Sequence, residues 1–300
     1  MINFQTITPE LYDKMHPLLE AEKSCEYSFV NLCIWGNQRT AQIGGHYAFF
    51  SQFDRHMVYL FPVGSGDVKP VIDAILEDAH QRGIRCYLTG LDTRKCQLLE
   101  QFYPGRFRFH TDRNEYDYYY RIEDLATLKG RKYLKKRNHV NAFRVLSPNS
   151  SVEPLSKDNQ HDAIDMVQKW YDRHQADTPE HDFYLEQTAF YRAMKYLDKL
   201  PLEGLLLRNG DEVIAVSLAS PLSREIFDVH FEKASDSING SYAAINQALA
   251  AYLMNKYPNI RYLDREEDMG LEGLRKAKLS YHPDHLAEKY WATLKEDNHV

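Results

Sequence analysis

Phe107-Arg108-Phe109-His110-Thr111-Asp112 and the strand pattern Tyr116–Ile122 are answered later in the chain. There Ser280-Tyr281-His282-Pro283-Asp284 leads to the strand pattern Ala287–Leu294. A short helix precedes each stretch, Leu98–Tyr103 in one case and Leu271–Leu279 in the other. Working outward, the match continues. His46–Phe53 and His56–Val63 read as a hairpin around Asp54-Arg55. A helix follows with Val68, Ile72, Ile75, Leu76 and Ala79 at helical spacing. Gly83 stops it, and Ile84–Thr89 is a short strand. In the second half Leu205–Arg208 and Glu212–Ser220 join through Asn209-Gly210, a strong hairpin signal. Glu225–Lys233 is the next strand, Ser241–Lys256 a helix ended by Pro258, and Ile260–Asp264 a strand. Agreement in order and spacing over about 60 residues points to duplication.

A hairpin-rich sheet followed by helix, strand, helix, strand is the order of the GNAT N-acyltransferase fold. The expectation is therefore an α/β (α+β) protein of two tandem GNAT-like lobes, residues 1–125 and 130–300. Each would be a mixed, mostly antiparallel sheet flanked by helices. No Gly/Ser linker separates them, so they should pack tightly.

Composition narrows the function. The 300 residues are 43% hydrophobic and 27% charged, an ordinary globular balance. A net charge of −6 excludes a general polyanion binder, so any nucleic-acid contact needs a local basic patch. Cys25, Cys33, Cys86 and Cys96 form no CxxC pair. They read as free thiols of a cytoplasmic protein, with no structural zinc and no metal site expected. Neither a signal peptide nor a membrane-spanning run is evident. The 21 tyrosines read first as strand and core residues, and second as a stacking platform.

That basic patch exists at the joint. From Lys129 to Arg144 there are seven Lys/Arg and no acid. Tyr133, Val140 and Phe143 give this helix an apolar face, while Lys132, Lys135, Lys136, Arg137 and Asn138 lie on its polar side. Such spacing suits phosphate groups, a tRNA backbone or an anionic headgroup. A solvated face paired with acids is the plainer alternative.

A second charged corner follows the strand Tyr262-Leu263-Asp264. It runs Arg265-Glu266-Glu267-Asp268-Met269-Gly270 into a helix carrying Arg275, Lys276 and Lys278. A carboxylate here could act as general base, and Arg265, Arg275 and Lys278 could hold a phosphate or a developing oxyanion. The acids could equally serve the next helix's dipole. Asp228, His230 and Glu232 share one strand face by alternation. Asn239, Tyr242 and Asn246 open the following helix. A pyrophosphate loop of the acyl-CoA type would want more glycines than Gly240 alone, and Gly64-Ser65-Gly66 has no basic partner.

Several of these stretches resemble a bacterial family of unknown function related to the C-terminal domain of phosphatidylglycerol lysyltransferase. They are Glu26–Leu32, the Lys129–Asn138 helix, His230-Phe231-Glu232-Lys233-Ala234, the Asn239–Tyr242 turn with Asn246, and above all Arg265–Gly270 with Leu274–Lys278. The resemblance implies a tandem GNAT-like fold as in Fem-type transferases, with the site at the lobe joint. It implies transfer of an amino acid from aminoacyl-tRNA. Arg137 and the 265–278 corner are its candidates for donor phosphates. The lysyltransferase proper carries a membrane-embedded N-terminal region that these 300 residues do not include, so the acceptor stays open between a lipid headgroup and a small amine or hydroxyl.

Three functions follow. The first is aminoacyl transfer, which needs positioning and oxyanion stabilisation but no covalent nucleophile. His230, Glu232, Glu266 or Glu267 would take the proton. The second is acyl-CoA-dependent N-acyl transfer. The third is a ligand-binding GNAT-like pair without catalysis. No cofactor is expected beyond the donor, aminoacyl-tRNA or acyl-CoA. Candidate partners are tRNA and, peripherally, anionic lipid. A pocket lined by Arg137, His230 and Arg265 would favour an enzyme.

Overall fold

A computed structural model describes residues 1–53, 56–177 and 183–295, so the expected turn at Asp54-Arg55 lies outside the described residues. The first half runs β1 (Gln5–Thr6), α1 (Tyr12–Leu19), α2 (Phe29–Ile34), β2 (Asn37–Ile43), β3 (His46–Phe53), β4 (His56–Gly64), α3 (Lys69–Arg82), β5 (Tyr87–Leu91), α4 (Thr93–Phe102), β6 (Phe107–Thr111) and β7 (Asp117–Arg121). Two helices make the joint, α5 (Ile122–Thr127) and α6 (Leu134–Leu146). Then come β8 (Ser150–Pro154), α7 (Gln160–Asp177), α8 (Tyr184–Lys195), β9 (Glu203–Asn209), β10 (Glu212–Pro221), β11 (Ile226–Ala234), α9 (Ser241–Lys256), β12 (Tyr262–Asp264), α10 (Glu272–Leu279), β13 (His285–Ala287) and β14 (Tyr290–Leu294).

The hairpins and helices of the repeat stand where the pattern puts them. Gly83 caps α3 in the left-handed region, φ 66°, where a side chain would be strained. α9 is apolar nearly all round and is accordingly covered all round. Ala244, Ile245, Leu249 and Leu253 are buried in the core beneath the second sheet, and α5 and α6 pack on its other side.

The strand order departs from two self-contained lobes. The sheets run β1-β2-β3-β4-β5-β14-β6 and β13-β7-β12-β11-β10-β9-β8. The division at 125–130 therefore runs across both sheets. Strand β7, from the first half, lies between β12 and β13 of the second sheet, with Tyr120 opposite Leu263 and Tyr118 opposite Leu286. Strand β14, from the end of the second half, lies between β5 and β6 of the first, with Ala292 opposite Leu88 and Phe109. Each lobe thus completes the other's sheet. The single strand expected over Ala287–Leu294 is divided for the same reason, since the chain passes from one sheet to the other at Glu288-Lys289. Asp117 through Tyr120 are all buried, as a central strand covered on both faces requires.

Three larger apolar clusters follow. One lies under α3 and α4, another between the second sheet and α9. The third lies between the lobes, where Tyr27, Phe29 and Leu60 meet Phe190, Leu218 and Phe231. Arg192 of α8 donates to the carbonyls of Ile34 and Gly36 across this junction.

Candidate active site where two strands part

β11 and β12 run parallel and pair through three residues, ending at Asp228 opposite Asp264. Beyond that point the strands part. Glu232, further along β11, reaches Arg265, just past β12, at 2.9 Å. Asn246 of α9 donates to the other carboxylate oxygen of Glu232 at 2.9 Å. The Arg265 guanidinium lies 5.0 Å from the Tyr281 ring centroid and 5.5 Å from that of Tyr120. Lys136 of α6 sits over the same Tyr281 ring at 3.8 Å. Desolvation, helped by the charge of Arg265, brings the Lys136 ammonium down to about 8, against the pull of Glu232. Arg265 Nη1 and Asn246 Oδ1 are buried with no hydrogen-bond partner.

Lys136 and Tyr281 also line a cavity of about 280 Å³, together with His139, Asn239, Ser241 and Tyr242. The first turn of α9 forms one wall, and no side chain caps it. Gly240 makes this arrangement possible. Its φ is +91°, and a Cβ there would stand 2.2 Å from the His139 carbonyl, so only glycine lets α6 pass so close. An uncapped helix N-terminus beside a lysine and a histidine is a favourable seat for an anion.

Of the residues expected from sequence, Lys136, Asn239 and Tyr242 line the cavity, while Glu232, Asn246 and Arg265 form a linked group beside it, and none of Arg137, His230 and Arg265, the lining expected for an enzyme pocket, lies on its wall. Other candidates stand apart. Arg137 donates to the carbonyls of Leu128 and Gly130 and braces the turn before α6 instead of facing the cavity. Lys132 is exposed and pairs with Asp124 at 3.1 Å, and Asn138 is exposed. Asp268 and Arg275 satisfy each other. Arg275 donates to both Asp268 oxygens, joined by Arg113 and Tyr118, and these bonds hold the Asp268 carboxyl well below its usual range despite burial. Lys278 spends its ammonium on the carbonyls of Arg265, Glu266 and Glu267, fixing the loop's path. The 265–278 corner is thus largely a frame for Arg265.

The remaining candidates belong to two buried polar clusters behind the cleft. His230 is wholly buried. Its Nε2 lies 2.7 Å from Ser220 Oγ, and its Nδ1 faces Asp228 Oδ2 at 3.4 Å and Glu266 Oε1 at 3.9 Å. Glu266 gets there through a left-handed backbone, φ 54°. Glu267 belongs to the other cluster. Lys289, in the crossing between sheets, bonds Asp117 at 2.8 Å and Glu267 at 3.2 Å, with Cys25 Sγ 3.6 Å away. Burial, opposed by Lys289, still leaves the Asp117 carboxyl raised to about 7. Burial, then Asp117, pushes the Cys25 thiol well up, so it is no nucleophile.

Sequence reasoning missed Tyr281, Asp117, Lys289 and Asn31 as members of these sites. Tyr281 and Asp117 stood inside the repeated segments, where they read as strand and turn. Asn31 lay inside the Glu26–Leu32 stretch.

Residues 19–293 match the family described as phosphatidylglycerol lysyltransferase, C-terminal. The chain belongs to this family. It is similar to a crystal structure of a conserved protein of unknown function from Bacteroides thetaiotaomicron, 36% identical, with a TM-score of 0.91 over 98% of this chain and 100% of that one. The structure of L-PGS from Bacillus licheniformis is 17% identical and shares the fold, with a TM-score of 0.69 over 98% and 94% of the two chains. An uncharacterized protein of Mycoplasmoides gallisepticum is 26% identical over 180 residues, 58% of this chain and 54% of the relative, so the match spans about half of that protein. The fold is the tandem GNAT-like one expected, and the family relationship supports an acyltransferase-type function. No helix among the described residues is long and apolar enough to cross a membrane.

Proposed function

We propose that the chain transfers an aminoacyl group from aminoacyl-tRNA to an amine or hydroxyl acceptor, at the parting of β11 and β12. The observation that carries the reading is the unpartnered Nη1 of the buried Arg265 beside a cavity whose lining includes Lys136, His139 and Asp236. In this scheme the acceptor attacks the ester carbonyl carbon. The carbonyl oxygen becomes an oxyanion, and Arg265, held by Glu232 and by the two tyrosine rings, donates to it. With its ammonium lowered to about 8, Lys136 is about a tenth neutral at pH 7 and can accept the proton that the attacking group loses. The ester C–O bond then breaks and the departing ribose oxygen takes up that proton. Lys136 is preferred to His230 and Glu266 as proton acceptor because it lines the cavity and they do not. The family resemblance favours tRNA as donor. Exposed Lys135, Leu134, Val145 and Leu146 on α6 favour a lipid headgroup as acceptor.

Acyl-CoA as donor is the second reading, supported by the uncapped start of α9 on the cavity wall. Binding to charged tRNA and to acetyl-CoA, each over a salt series, separates the two. Steeply salt-dependent tRNA binding, lost in Arg265→Ala and Lys136→Ala, supports aminoacyl transfer. Binding of CoA alone replaces that donor. Binding of neither defeats both readings.

A further inference from the structure

Behind the cleft the charges do not balance. Asp228 and Asp264 are fully buried, and Glu266 is largely so. Among the described residues the one basic side chain within ion-pair distance of Asp228 or Glu266 is that of His230. Lys289 is engaged with Asp117 and Glu267, and Lys278 with backbone carbonyls. His230 Nδ1, Asp228 Oδ1 and Asp264 Oδ2 have no hydrogen-bond partner. A buried carboxylate pair without a strong counter-charge is costly.

The geometry points to a bound divalent cation held by Asp228 Oδ2, His230 Nδ1 and Glu266 Oε1. These donor atoms lie within 4.8 Å of one another, and Nδ1 is 3.4 Å and 3.9 Å from the two oxygens. Ligands about 2.1 Å from a common ion stand at most about 4.2 Å apart, so both distances fit. One nitrogen with two carboxylate oxygens suits Zn²⁺ or Mn²⁺. The Ser220 hydroxyl against Nε2 orients the ring so that Nδ1 faces the acids.

Asn31 supplies a fourth ligand. Its Nδ2 faces three acceptors, Glu266 Oε1 at 2.9 Å, Asp228 Oδ2 at 3.1 Å and the Cys25 carbonyl at 3.2 Å, with only two hydrogens to give. Its Oδ1 has no partner. A half-turn of the amide puts that oxygen where the two carboxylates converge. That position is repulsive without a cation and favourable with one.

The ion would be structural and outside the transfer chemistry. Asn31 comes from α2, Asp228 and His230 from β11, and Glu266 from the loop after β12, so it would clasp the lobes together. No metal site was expected from the sequence, an expectation that rested on the cysteine spacing, and this site uses no thiol.

The test uses tag-free full-length protein, stripped with EDTA and dialysed. MnCl₂ is titrated and followed by loss of the free-ion electron paramagnetic resonance signal, and ZnCl₂ and MgCl₂ by calorimetry. The expected result is one saturable equivalent per chain. At a hundredfold excess over Kd the Tm should rise by about 3–6 °C. Asp228→Asn and Glu266→Gln should weaken binding by about 10–100-fold or more. Asn31→Asp adds a charged ligand and should tighten it, which keeps the test open if the other variants fold poorly. Absence of saturable binding for all three ions would overturn the site. So would binding that none of the three substitutions alters.

Discussion

The two lobes treat the same gap in opposite ways. In the first, β4 and β5 pair in parallel at Tyr59–Leu88 and Leu60–Thr89, as β11 and β12 do in the second. There the gap is plugged from within. The Tyr27 hydroxyl donates to the Gly90 carbonyl, with the Phe61 carbonyl also in reach at 3.2 Å, and Lys95 reaches Tyr27, the Gly90 carbonyl and Glu22 at 2.7–2.8 Å. Gly90 leaves no room for more, since a Cβ would stand 2.4 Å from Leu60 and 2.6 Å from the Tyr27 hydroxyl. In the second lobe Glu232 and Arg265 span the gap, and one guanidinium nitrogen keeps a free valence. In one copy the polar groups across the gap satisfy one another, and in the other Arg265 Nη1 and Asn246 Oδ1 are left without a partner.

That contrast can be broken in order of expected size. Lys95→Ala removes one partner of a buried network and should cost about 3–5 kcal/mol in chemical denaturation. Donor affinity of the folded variant should not change. A loss of donor binding in parallel would make the first lobe part of the site. Arg265→Lys is the mirror experiment. It keeps a charge but not the planar fork, and transfer should fall by about 10²–10³-fold while the Tm moves little. A large Tm loss with normal turnover would recast Arg265 as a brace.

Gly240→Ala comes third. A methyl group against the His139 carbonyl should cost about 1–3 kcal/mol and weaken the donor through a displaced α9 turn. The smallest effect is in the pH profile. kcat/KM should rise through about pH 8 as Lys136 loses its proton, and Lys136→Met should remove that limb. The same group makes a signed contribution to stability. Its folded pKa is lowered, so the unfolded chain binds more protons between about pH 8 and the ordinary lysine range, and stability should increase with pH across that window.

The sequence carried the hairpins, α3, α9 and their order because turn residues and periodicity are local properties. It placed Lys136 and Arg265 among the candidates because each lies in a charged stretch of the chain, Glu232 by alternation along its strand, and Asn246 by its place on the following helix. Strand exchange was illegible for a physical reason. The segment 117–121 has the same alternation whichever sheet it joins, and only the buried Asp117 beside Lys289 distinguishes the partners. Arg137, Arg275 and Lys278 illustrate the converse. A cation near a site looks the same in sequence whether it waits for a phosphate or ties up backbone carbonyls. Helices α7 and α8 lie in a stretch where the pattern gave no assignment.

The crossing of β7 and β14 also has a consequence for how the molecule is made. Synthesis proceeds from the N-terminus, yet the first sheet has a place between β5 and β6 that only residues 290–294 can fill. The first half must therefore wait, incomplete and with exposed strand edges, until residues 290–294 arrive. Cutting the chain at the duplication boundary should give two fragments that fold together or not at all.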